Sequence, residues 1–155
     1  MLGIQGDKVK SKEWLERGLN HDDPMDCLSN CWMGFNNLYS AYQSNTEVGS
    51  IKQFIDNKVD VKTAQELIDN HQTEIAYFMS RPIIDMRGNG RNSQRDIDSY
   101  NASSCPLAKL KSILMFIYQV RCNLMHGQKS PSRERDIELC KHSWPFVAEL
   151  VYKYD

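Results

Sequence analysis

The sequence predicts an all-α protein, an up-and-down bundle of four to five helices. Three observations predict it. Apolar residues recur at steps of three and four along most of the chain. No segment alternates apolar and polar residues convincingly over strand length. Asp, Pro and Gly stand where helices start and stop, between the apolar stripes.

The elements follow in order. Lys8 to Leu19 forms a short leading helix anchored by Trp14 and Leu15. Asp22-Asp23-Pro24 is a helix start, an acidic cap followed by Pro in the first turn. Leu28, Trp32, Phe35, Tyr39 and Tyr42 then make one apolar stripe on a long helix, ended by Ser44-Asn45. A shorter helix buries Ile51, Phe54, Ile55 and Val59. Asp60 caps the next, whose stripe is Ala64, Ile68, His71, Ile75 and Phe78 and which stops at Arg81-Pro82. Residues 83–104 read as a long exposed loop, rich in Gly, Asn, Ser and Arg. A helix from Pro106 carries Leu107, Leu110, Leu114 and Ile117, reaches Arg121, and ends at Gly127. The last helix presents Ile137, Cys140, Trp144, Val147, Val151 and Tyr154, and its stripe runs on across Pro145 as a kinked helix.

Composition narrows the function classes. The chain has 155 residues, 41% hydrophobic and 25% charged, which fits one globular domain (1–155, core about 23–154) and excludes disordered and collagen-like classes. No run of eighteen apolar residues occurs and the N-terminus lacks an apolar signal core, so a cytoplasmic protein without membrane contact is expected. The net charge of −1 gives no global basic field, so nucleic acid would have to meet local patches. Five cysteines, an odd number without a CxxC pair, fit a reducing compartment. Cys27, Cys31, Cys140 and His142 are read as core and cap groups rather than zinc ligands, because zinc sites use tighter ligand pairs. His71 is read as a satisfied core histidine, and His21 and His142 as surface or cap groups.

The chemistry concentrates in Tyr118-Gln-Val-Arg-Cys-Asn-Leu-Met-His-Gly127, where an apolar helix delivers Arg121, Asn123 and His126. Arg121 continues a stripe that would otherwise be buried, which costs free energy unless the charge is paired or faces a cleft. Read structurally, Arg121 and His126 are cations at a helix C-terminus. Read functionally, they suit RNA cleavage without metal. His transfers protons near neutral pH, with an unperturbed pKa of ~6.5. Arg offers phosphate a rigid, always charged fork, and Asn orients phosphate or sugar. No cofactor or metal is required. Residues five apart on a helix differ in direction by about 140°, so Arg121 and His126 converge only at a helix end or across an interface. A two-fold homodimer sharing one cleft brings two Arg-His pairs together. Lys129, Arg133 and Arg135 after the motif, and Arg87, Arg91 and Arg95 in the loop, are candidate RNA phosphate contacts.

With these residues in view, the sequence resembles the HEPN superfamily, all-α domains carrying an R-x4-6-H signature. Arg121 to His126 fits the four-residue spacing, and Asn123 takes the polar position after the Arg. The motif closes with Gly127-Gln128-Lys129 and precedes a final amphipathic helix. Trp32-Met-Gly-Phe-Asn-Asn-Leu-Tyr39 is similar to the W-x-x-F-N-x-L-Y of a first long helix in such domains. The resemblance spans about Asp23 to Tyr154. It implies a dimeric bundle with a composite active site and metal-independent endoribonuclease activity leaving 2′,3′-cyclic phosphate and 5′-hydroxyl ends. Relatives of this kind act as toxins, in defence or in RNA processing, and any antitoxin here is a separate protein. Other relatives only bind or scaffold. The alternative is therefore a non-catalytic module that binds RNA, a nucleotide or another protein.

Overall fold

Local capping signals start three of the helices. The structure, a computed structural model, describes residues 2–20, 22–84, 92–125 and 134–154, and of residues 2–10 only the backbone. Eight helices occur among them: α1 (Leu2–Leu19), α2 (Pro24–Tyr39), α3 (Glu47–Lys58), α4 (Val61–Asn70), α5 (Gln72–Ser80), α6 (Gln94–Ala102), α7 (Pro106–Met125) and α8 (Glu134–Tyr154). The class is all-α as expected, but the helices outnumber the four or five read from the stripes. Asp23 accepts from the Met25 amide at 2.8 Å, Thr46 from Gly49 at 3.0 Å and Asp60 from Thr63 at 2.7 Å, each satisfying an orphan donor of α2, α3 or α4.

Three boundaries differ from expectation. The stripe from Ala64 to Phe78 is two helices, because His71 leaves helical geometry at φ −127°, ψ 37° and serves as C-cap of α4 and N-cap of α5. Both pieces pack on α7 and α8, so the stripe survives the break. α2 ends at Tyr39 with Ser40 as C-cap, and Tyr42 packs on the core from the turn beyond. The stretch 83–104 is not all exposed loop. Ile83, Ser93 and Ile97 are buried. Ser93 donates its amide to the Ile83 carbonyl at 2.9 Å and its Oγ accepts from the Ile83 amide at 2.8 Å. An isolated bridge joins Ile84 and Asn92, and α6 follows. The middle of the expected loop, with Arg87, Gly88-Asn89-Gly90 and Arg91, lies outside the described residues.

α7 is the central element, packed against α2, α3, α4, α5, α6 and α8. Its apolar residues run round the helix, and Leu110, Ile113, Leu114, Phe116, Ile117 and Val120 are fully buried, as such a pattern requires. α8 is one helix through Pro145. α1 lies against α2 through two glycines: an added Cβ would stand 2.7 Å from Cys31 Sγ at Gly18 and 2.9 Å from the Ser11 carbonyl oxygen at Gly34. Ser11 beside Gly34 and Gly18 beside Cys31 make the pair antiparallel and close. α3 is likewise antiparallel to α7, with Glu47 beside Arg121 at one end and Asp56 beside Lys111 at the other. One core runs from Leu15 to Val151. No helix among the described residues is long and apolar enough to cross a membrane.

Candidate functional site

Three elements converge on Arg121. The second half of α2 supplies Trp32, Asn36 and Tyr39, the start of α3 supplies Glu47, and the last turns of α7 supply Tyr118, Arg121 and Cys122. Glu47 is where the sequence would place an anion, directly after the Thr46 cap, in the positive end of the α3 dipole. Its carboxylate accepts from Tyr39 Oη, from Tyr118 Oη at 3.3 Å and from Arg121 Nη1 at 3.4 Å. Tyr39 Oη in turn accepts from Trp32 Nε1 at 3.2 Å and Asn36 Nδ2 at 2.9 Å. The Trp32 ring lies under the guanidinium, 5.8 Å from Cζ to centroid, and Tyr118 stacks beside it at 6.1 Å.

This network answers the cost of ending an apolar stripe in Arg. The Arg121 side chain is 14% exposed and Glu47 29%, so each removes much of the other's desolvation cost. Nη1 stands 3.4 Å from both carboxylate oxygens, a single-nitrogen contact rather than the two-nitrogen fork. Burial, and then the Glu47 carboxylate, push the Tyr39 phenol well above the ordinary range. Burial, followed by Cys122 and Glu47, does the same to Tyr118. Burial raises the Cys122 thiol, and Tyr118 and Arg121 partly offset it. The tyrosines therefore stay protonated and serve as hydrogen-bond donors.

Asn123 is 3% exposed. Its Nδ2 donates to the Ile84 carbonyl at 2.9 Å and its Oδ1 accepts from Gln119 Nε2 at 3.0 Å. The side chain expected to orient phosphate or sugar ties the end of α7 to the 83–84 segment. His126, Lys129 and Arg133 lie outside the described residues. Arg135 opens α8, donates from Nη2 to the Arg81 carbonyl at 3.1 Å at the C-cap of α5, and covers the Tyr77 ring at 5.2 Å. Arg95 is exposed in the first turn of α6. The structure thus brings Arg121 and Asn123 to one end of α7, and seats Arg135 and Arg95 on other helices.

The remaining polar groups have structural surroundings. His71 is 8% exposed, with Nε2 at 2.7 Å from Glu149 and Nδ1 at 3.5 Å from Glu74, a satisfied core histidine. His142 stacks on Tyr77 at 4.2 Å and bonds the Glu138 carbonyl at 2.8 Å. Cys27, Cys31 and Cys140 are buried. Burial pushes the Cys31 thiol up to about 12, and burial with the Asp23 charge raises Cys27, which disfavours the thiolate a metal needs. No cluster of three metal-ligating side chains occurs among the described residues.

Sequence reasoning missed Glu47, Tyr39 and Tyr118 as the surroundings of Arg121. The cap Thr46 was the one legible sign that an acid stands at a helix start; its partner is 74 positions away. No family model, no curated protein and no solved structure matches this chain.

Proposed function

We propose that this chain is a metal-independent endoribonuclease of the HEPN type that acts as a homodimer. Arg121 carries the reading: a guanidinium ends the apolar stripe of the central helix, held through one nitrogen by Glu47, with His126 five residues further on. In this reaction the 2′-oxygen attacks phosphorus and the bond to the 5′-oxygen breaks. One His126 takes the 2′-hydroxyl proton, and the second copy's His126 gives a proton to the leaving 5′-oxygen. Arg121 neutralises the charge that gathers on the phosphorane oxygens. Asn123 positions the motif by fixing the 83–84 segment. The products are a 2′,3′-cyclic phosphate and a 5′-hydroxyl. A toxin or defence role follows from the same resemblance.

Incubating the pure protein with total RNA in EDTA tests the reading. Cleavage with cyclic phosphate ends is expected. Strict dependence on Mg²⁺ or Mn²⁺, or 3′-hydroxyl products, rejects it.

One observation favours a second reading. Arg121 is mostly buried and paired, as a structural cation would be, which suits a non-catalytic binding module. Salt-sensitive RNA binding without cleavage is its signature.

A further inference from the structure

His71 stands at the corner where α4 ends and α5 begins, and both of its ring nitrogens face carboxylates. Nε2 lies 2.7 Å from Glu149 of α8, and Nδ1 lies 3.5 Å from Glu74 in the first turn of α5. The imidazole is 10% exposed, against 26% for Glu149 and 22% for Glu74, so all three groups are largely out of water. The ring meets Phe146 edge to face at 5.3 Å.

The other charges of the elements packed here are engaged elsewhere. Glu149 also accepts from Asn70 Nδ2 at 2.8 Å. Lys153 of α8 is held by Glu66 of α4 at 3.1 Å and adds positive charge near Glu149. Asp69 of α4 accepts from Gln65 at 2.8 Å. His142 and Arg135 of α8 both lie against Tyr77 of α5, and His142 stands 3.6 Å from Glu138. On α7, Lys109 covers Tyr100, Lys111 pairs with Asp56 and Arg121 with Glu47. His71 is thus the one partner of Glu74 among the described residues.

The proton count of the ring decides how well this corner is tied. A neutral imidazole has one N–H and one lone pair. Whichever nitrogen carries the proton, the other turns a lone pair toward a carboxylate. An imidazolium has two N–H groups and meets both acids, through bonds of the stronger, charge-assisted kind. Burial works against the charged ring, and two carboxylates on opposite nitrogens work for it. We propose that His71 is a proton-operated clasp: protonated, it ties the α4–α5 corner to α8 through Glu149 and to α5 through Glu74, and on losing its proton it lets the corner open.

The backbone makes the corner a place that can open by itself. His71 leaves helical geometry, and its amide bonds the Ile68 carbonyl at 3.3 Å. Opening frees the start of α5, while Arg135 on the Arg81 carbonyl holds its other end. Closing is coupled to proton binding, so the corner is better protected at low pH and loses that protection as pH rises through the histidine range, near ~6.5 for an unperturbed ring. The inference does not depend on the nuclease reading.

Amide exchange followed by NMR on the full chain tests the clasp. The reporter is the Ile75 amide, which bonds the His71 carbonyl at 2.9 Å; the reference is the Ala64 amide, which bonds the Asp60 carbonyl at the far end of α4. Each rate is divided by the intrinsic rate at the same pH. Protection at Ile75 relative to Ala64 is expected to fall about tenfold or more between about pH 5 and pH 8. Ring nitrogen shifts should show two protons on His71 at the lower pH. Glu74→Gln, which removes one facing charge at constant size, should shrink the fall, and His142→Gln should leave it unchanged. The wild-type measurements decide the case even where a variant fails to fold. A constant protection ratio, a singly protonated ring at the lower pH, an undiminished fall in Glu74→Gln, or a fall that vanishes in His142→Gln each overturns the proposal.

Discussion

Glu47 and Arg121 stand 74 positions apart in the chain and meet with Nη1 at 3.4 Å from both carboxylate oxygens. Glu47 sits in the first turn of α3, where the helix favours its charge, and Arg121 lies ahead of the last turn of α7. The pair fixes the cation on which the proposed chemistry depends, and leaves the guanidinium free of a two-nitrogen fork.

Breaking this pair should destabilise the fold. Glu47→Ala strands a mostly buried guanidinium and two tyrosine hydroxyls, at a cost of about 2 kcal/mol or more. Glu47→Gln keeps the amide oxygen for the tyrosines and should cost less. Urea unfolding of Glu47→Ala, Arg121→Ala and the Glu47→Ala/Arg121→Ala double variant checks the coupling. Strictly additive losses would show that the contact is energetically idle.

Catalysis should fail without either motif residue. Arg121→Ala and His126→Ala are each expected to slow RNA cleavage by ~10²–10⁴-fold while the protein stays helical. Parent rates in both variants would reject the assignment. Sedimentation at micromolar concentration should show a dimer; a fully active monomer would rule out a shared cleft.

Asn123→Ala should loosen the tie between Ile84 and the end of α7 rather than the whole domain. The lost amide leaves the Ile84 carbonyl without that donor, at about 1–2 kcal/mol. Hydrogen exchange at the Ser93 amide, which bonds the Ile83 carbonyl, should accelerate selectively. Unchanged exchange there would show that Asn123 is not what ties the segment down.

Gly34→Ala sets two effects against each other. Helix propensity favours Ala by ~1 kcal/mol. The new methyl would stand 2.9 Å from the Ser11 carbonyl oxygen, and backbone cannot swing aside as a side chain does. Overpacking of this kind costs ~1–3 kcal/mol. A net loss of thermal stability is expected, and a rise in Tm would mean that α1 moves off α2 freely.

Asp96 should tilt the stability curve with pH. Burial raises its folded pKa above the ordinary carboxylate value, so the folded state holds its proton to higher pH. Stability contributed by protonation is then present at low pH and lost as pH rises through the window above the unfolded value of about 4. Relative to Asp96→Asn, the wild type should gain stability on going from pH 7 to pH 4. The opposite slope would mean that the carboxylate is stabilised in the fold.

The all-α class, the caps Asp23 and Asp60, the start of α7 at Pro106 and the burial of Trp32, Phe35, Tyr39 and His71 were legible in the sequence. Each depends on groups within a turn or two along the chain, and local periodicity and capping report such groups directly. So was the anomaly of Arg121, because a charge on an apolar stripe is visible without coordinates. Its resolution was not. Glu47 lies on another helix, and only the antiparallel packing of α3 on α7 brings the two together. The same holds for Ser93 and Ile97, whose segment reads as polar and exposed. α6 shows too few apolar residues to declare a face, and it becomes a helix with a buried side because α7 offers it one. The single stripe from Ala64 to Phe78 concealed the break at His71, since both helices bury the same side against the same neighbours. What a residue shares with its near neighbours was written in the chain; what it meets across the bundle was decided by packing.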